Sequence, residues 1–142
     1  GLAPQALARP LQQELPACPP EFAFETQRLW RMHQKAGVPS IIVALEFSPS
    51  AITRDLPQQM QRLQRLMDES WLITGPNRQV LALLMPLGDA STAEGFLARL
   101  EIWIHQKEGT SLATAGVFPH QIALADAPPL ATLQRLHGIA HA

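Results

Sequence analysis

The chain has 142 residues, 46% of them apolar and 16% charged, with a formal net charge of −1. That length and balance suit one globular domain with one core and exclude a disordered chain. The near-zero charge excludes a broad electrostatic attraction to a nucleic-acid polymer, so any anion site must be local.

Residues 1–20 contain Pro4, Pro10, Pro16, Pro19 and Pro20 and read as a linker, with room for a short helix near 6–15. Residues 21–142 are then the domain. Cys18 is the single cysteine, which rules out an internal disulfide and a cysteine-based metal site and fits a reducing, cytoplasmic setting. From Glu21 to Ala36 apolar residues recur at helical spacing, with Phe22, Leu29 and Met32 on one face, and Gly37 supplies a C-cap. Residues 39–47 are a near-continuous apolar run with β-branched residues, the pattern of a buried central strand. After a loop, Asp55 is placed to cap a helix that opens on Leu56-Pro57 and runs to about Asp68, with Met60, Leu63 and Met67 on its buried stripe. Residues 71–74 and 79–86 flank Gly75-Pro76-Asn77-Arg78, which predicts a β-hairpin whose second strand is central. Ser91 and Glu94 have capping-box spacing at the head of a long helix to about Lys107, stopped by Gly109. A strand is expected over 112–118, a short edge strand over 121–124, and a last helix over about 130–139 after Pro128-Pro129. This order, α-β-α-β-β-α-β with a small tail, predicts an α/β (α+β) fold. Split βαβ units would surround a central antiparallel or mixed sheet flanked by helices. No apolar run reaches the ~18 residues of a membrane span, and no signal-peptide pattern is present. A start on Gly1 rather than Met reads as a piece of a longer protein.

Nine of the eleven cations are arginine, the side chain suited to planar, bidentate recognition of phosphate or guanine. Arg65-Leu66-Met67-Asp68 is the only R-x-x-D in the chain. On the expected helix its ends share a face. Arginine can donate to O6 and N7 of guanine, and a carboxylate can accept from the ring N–H and amino group. An ordinary surface ion pair, worth ~0–1 kcal/mol, is the other reading and the commoner one for two such residues alone. His137 and His141 are spaced to share a helix face as metal ligands, but no third ligand accompanies them, and a C-terminal tail is the simpler reading. Trp30, Trp71 and Trp103 fit core packing, with Trp71 close enough to Asp68 to pack on a bound base. Arg28 and Arg31 fit a solvated helix face.

The stretch from Phe24 to Phe47, the pair Arg65 and Asp68, the six residues to Gly75, and the run from Leu81 to Glu101 together resemble the GGDEF family of diguanylate cyclase domains. The resemblance covers roughly residues 21–118 and implies that Arg65 and Asp68 form the family's inhibitory site for cyclic di-GMP. The signature hairpin reads Gly75-Pro76-Asn77-Arg78-Gln79, so only its first glycine remains and both acidic residues are gone. Glu46 stands where the family places a metal-binding aspartate, without a carboxylate partner at the hairpin, and otherwise reads as a solvated strand-end carboxylate. Phosphoryl transfer needs carboxylates to hold Mg²⁺, so the resemblance implies a degenerate, non-catalytic domain with no metal or cofactor. Trp71 after the pair, the lost signature, and Ala93-Glu94-Gly95 before Arg99 are most similar to the cyclic di-GMP receptor domains of Pel exopolysaccharide export. That likeness implies Arg99 as a second ligand arginine, pairing with Glu94 or Glu101 being its plainer reading. It also implies a cytoplasmic domain of an inner-membrane protein, with neighbouring domains and secretion-complex proteins as partners. A structural or dimerisation domain, a residual cyclase, and a receptor of another system such as cellulose secretion are the alternatives.

Overall fold

The computed structural model describes Leu15 and residues 17–142, so of the expected linker or short helix over 1–20, residues 1–14 and Pro16 lie outside the described residues, and Pro20 already opens the first helix. In chain order the elements are α1 (Pro20–Ala36), β1 (Ile41–Phe47), α2 (Leu56–Leu63), β2 (Glu69–Thr74), β3 (Gln79–Met85), α3 (Ala90–Glu108), β4 (Phe118–Ala123), a short 3₁₀ turn (Leu124–Asp126) and α4 (Pro129–Ala140).

The two strongest apolar runs, β1 and β3, lie side by side at the centre and are buried along nearly their whole length. They run antiparallel, with Val43 opposite Leu83 and Ala44 opposite Ala82. β2 pairs with the outer edge of β3 and β4 with the outer edge of β1, giving the order β2-β3-β1-β4. Every neighbouring pair is antiparallel, so of the two expected sheet types this is the antiparallel one. β1 and β2 point the same way with β3 between them, joined through α2. β3 and β4 do the same around β1, joined through α3. These are two interlocked split βαβ units.

Both faces of the sheet are covered, which explains why an antiparallel sheet here carries runs without polar alternation. Ile42, Ala44, Val80, Ala82 and Leu84 face one way and pack with Phe22 and Leu29 of α1 and Leu133 and Leu136 of α4. Ile41, Val43, Leu45, Leu81 and Leu83 face the other way, toward Leu56 and Met60 of α2 and Phe96, Leu100 and Ile104 of α3. Edge strand β2 alternates instead, with Trp71 and Ile73 inward and Leu72 outward. Among the described residues no helix is long and apolar enough to cross a membrane.

Four local expectations are corrected. α2 stops at Leu63, and Gln64 is extended at φ −71° and ψ 149°, so Arg65 to Asp68 form a turn rather than helix. The Asp55 carboxylate makes no cap, its backbone standing at ψ 4° rather than in the extended region a cap uses, and it accepts from Lys107 Nζ at 2.6 Å instead. The capping box of α3 is built by Asp89 and Thr92, not Ser91 and Glu94. Residues 112–116 are turns, with Ala115 N–H donating to Ser111 O, Gly116 N–H donating to Ala113 O, and Gly116 at φ +81°. Leu112 and Val117 are apolar because they plug the core under α3, and the strand begins only at Phe118.

Candidate functional site

The chain reverses between Gln64 and Glu69. Asp68 N–H donates to the Arg65 carbonyl at 3.1 Å, closing a four-residue turn. The Asp68 carboxylate braces the same turn. Its Oδ2 accepts from Arg65 backbone N–H at 2.8 Å, and its Oδ1 accepts from Arg65 Nε at 3.1 Å. The Asp68 side chain is 1% exposed and the Arg65 side chain 46%. One partner is therefore a buried brace, and the other is a side chain nearly half exposed to solvent. Arg65 also donates through Nη2 to the Pro86 carbonyl at 3.1 Å, which ties the turn to the corner between β3 and α3. Leu87 follows with φ +62°, held there by its N–H donating to Ser40 Oγ at 3.0 Å. Ser40 is buried, and its carbonyl accepts from Leu124 N–H. A fixed, partly exposed guanidinium is thus set among three pinned segments. Such an arrangement can offer a planar donor edge to a phosphate or a guanine at little ordering cost.

The Arg99 side chain makes no hydrogen bond or ion pair with this cluster. It is exposed on α3, nine residues after Ala90 and so ~14 Å along the helix axis. Among the described residues it has no side-chain hydrogen bond or ion pair, and Glu101 is engaged elsewhere, accepting from Leu112 N–H at 3.2 Å.

The hairpin turn lies at the opposite end of β2 and β3, six residues of extended strand or ~20 Å from Arg65. Gly75 N–H donates to Arg78 O at 2.9 Å. A Cβ at Gly75 would sit 1.7 Å from the backbone oxygen of Ala140, so the last turn of α4 is seated against the hairpin. Glu46 is not simply solvated. Its carboxylate lies 3.6 Å from Arg78 Nη1 and 3.4 Å from His120 Nε2. Among the described residues no group of three or more His, Cys, Asp or Glu side chains could hold a metal ion. His137 and His141 stack ring on ring at 4.0 Å rather than converging on a point.

Trp71 is buried against Phe22, ring centroids 5.6 Å apart, so it packs in the core and does not line the site. Trp103 carries Lys107 Nζ over its ring at 5.1 Å, and Arg28 pairs with Glu25 at 2.8 Å. Burial pushes the Cys18 thiol up to about 12, which leaves it unreactive. Glu69, next to Asp68, is held above the usual carboxylate range, first by burial and then by the charges of Glu25 and Glu21. Sequence reasoning missed Pro86, Leu87 and Ser40. A backbone carbonyl has no side-chain signature, and a leucine gives no hint of a left-handed backbone.

Residues 16–137 match the PelD GGDEF domain family. Among solved structures, the chain resembles PelD from residue 158 to its C-terminus from Pseudomonas aeruginosa PAO1, with a TM-score of 0.71 and 23% identity over 88% of this chain and 47% of that one. The same protein in complex with c-di-GMP gives a TM-score of 0.72 and 24% identity over 83% and 43%. PelD 156–455 from Pseudomonas aeruginosa PA14, also in complex with c-di-GMP, gives 0.66 and 26% identity over 79% and 42%. The chain spans less than half the length of these structures. No protein with a curated description matches it.

Proposed function

We propose that this chain, which belongs to the PelD GGDEF domain family, is a non-catalytic cyclic di-GMP receptor that regulates synthesis or export of the Pel exopolysaccharide. Arg65 reads the ligand, Asp68 holds Arg65 in place, and exposed Arg99 supplies a second cation. The observation that carries this reading is the braced turn, where a half-exposed arginine side chain rests on a buried carboxylate and on the Pro86 carbonyl. Support comes from relatives of the same fold that are described in complex with c-di-GMP. The hairpin argues against turnover of GTP. Residues 75–79 offer no carboxylate, and Glu46 already faces Arg78 and the His120 ring of the chain itself. Such chemistry needs carboxylates to hold its metal ions. Binding would act on neighbouring domains or on secretion-complex proteins at the cytoplasmic face of an inner membrane, through different affinities for two states of the assembly.

Calorimetric titration with cyclic di-GMP tests the reading. The parent chain binds, and Arg65→Ala loses about ten- to a hundredfold in affinity, the scale of charge-assisted hydrogen bonds. Arg65→Ala is cleaner than Asp68→Ala, because removing a buried brace also loosens the turn. Arg99→Ala weakens binding less, and an assay with GTP and Mg²⁺ yields no cyclic product. Absence of binding at concentrations on the order of 50 μM overturns the proposal. A structural role for Arg65 is the second reading, favoured by its bond to Pro86. In that case Arg65→Ala lowers stability and changes no ligand affinity.

A further inference from the structure

Six large apolar side chains stand exposed among the described residues, and three of them belong to one corner. Leu66 at 98% and Met67 at 64% exposure are the two central residues of the braced turn. Leu87, 61% exposed, follows the proline whose carbonyl Arg65 holds. The other three, Leu72, Ile102 and Phe118, stand singly on β2, α3 and β4. Turn tips ordinarily take Gly, Asn, Asp or Ser, and nothing in the local backbone asks for Leu-Met here. Leu87 is the one residue other than glycine with positive φ among the described residues. Glycine or asparagine would relieve that conformation, yet a leucine is kept there with its side chain in water.

A purine has a polar edge and apolar faces. An arginine reads the edge, and aliphatic side chains that cover a face expel water and strengthen the edge hydrogen bonds. We infer that Leu66, Met67 and Leu87 form an apolar platform for the face of a guanine base whose edge Arg65 holds, and that this platform sets the affinity of the site. The inference rests on the receptor reading of Arg65. The occupant is the base of the dinucleotide because the three side chains flank the braced guanidinium of Arg65, two beside it in the turn and one next to the Pro86 carbonyl it holds.

The test uses Leu66→Ser/Met67→Ser and Leu87→Asn beside the parent and Arg65→Ala, each titrated with cyclic di-GMP by calorimetry and sedimented without ligand. Exposed positions tolerate the serines, and asparagine suits a left-handed backbone. The double variant binds about tenfold more weakly, the effect of losing a base platform. Leu87→Asn weakens binding in the same direction, and the ligand-free unfolding midpoint does not fall. If the parent binds, Arg65→Ala loses binding and the apolar variants bind as the parent does, the platform is overturned and the receptor reading stands. If the parent does not bind, both fall. If the apolar variants change ligand-free sedimentation and leave affinity unaltered, the patch is a contact between copies and the platform is likewise overturned.

Discussion

Asp68 and Glu69 are adjacent carboxylates with opposite surroundings. Asp68 accepts two hydrogen bonds from one arginine. Glu69 is desolvated beside Glu21 and Glu25, and it binds its proton more tightly than the ordinary value of 4.5 would give. A carboxyl raised in the folded state favours folding when protonated. Stability therefore falls as pH rises from 4.5 through the raised value, and it stays lower above that window. Glu69→Gln removes the penalty. Urea unfolding should show the variant more stable than the parent at pH 7, with the gain vanishing below the ordinary glutamate range. An equal gain at every pH would mean that packing, not charge, separates them. The R-x-x-D pair was legible in the sequence, but its geometry was not. An i,i+3 spacing brings side chains together on a helix and equally across a β-turn, so the same two letters fit both. The extended Gln64 decides between them, and it has no composition of its own.

Strands and long helices were legible because burial on both faces or on one stripe writes a pattern over many residues. Turn and cap chemistry was less so. Asp89 and Thr92 have the same i,i+3 spacing as Ser91 and Glu94, and only the direction of the chain at the helix start selects between them. The stretch over 112–118 has the look of a strand in sequence because its two core plugs, Leu112 and Val117, bracket alanines that pass for strand residues. Gly75 carries a similar ambiguity. As the first letter of a lost signature it reads as a remnant of nucleotide binding, but the structure gives it a packing duty under Ala140. Gly75→Ala puts a methyl against a backbone carbonyl that cannot rotate away, so α4 must shift. The expected cost is ~1–3 kcal/mol, read by denaturant unfolding. Hydrogen exchange should show lost protection at the last turn of α4. Affinity for cyclic di-GMP should stay within about twofold, because the hairpin is ~20 Å from Arg65. A stable Gly75→Ala with undisturbed exchange would show that α4 is not seated there.

At the scale of the molecule, the β2–β3 pair carries two sites at its two ends. The hairpin end, where the resemblance to diguanylate cyclases places the chemistry, is engaged by the chain's own groups: Arg78 and His120 beside Glu46, and the α4 terminus on Gly75. The other end holds the braced arginine and the exposed apolar corner. A ligand that binds only the folded chain adds about 2.7 kcal/mol of stability at a hundredfold excess over its dissociation constant. For a domain of this size the unfolding midpoint should then rise on the order of 10 °C at that excess of cyclic di-GMP, and by about half of that or less for Arg65→Ala at the same ligand concentration. Where the added protection falls is the sharper measurement. Binding at the braced turn slows exchange at Asp68 and Leu87, whose N–H groups close the turn and the corner, and leaves Gly75 unchanged. Protection centred on the hairpin would instead move the ligand to the cyclase end of the strands. Because the two ends share β2 and β3 but no hydrogen bond, the pattern separates the alternatives even where the change in midpoint is the same.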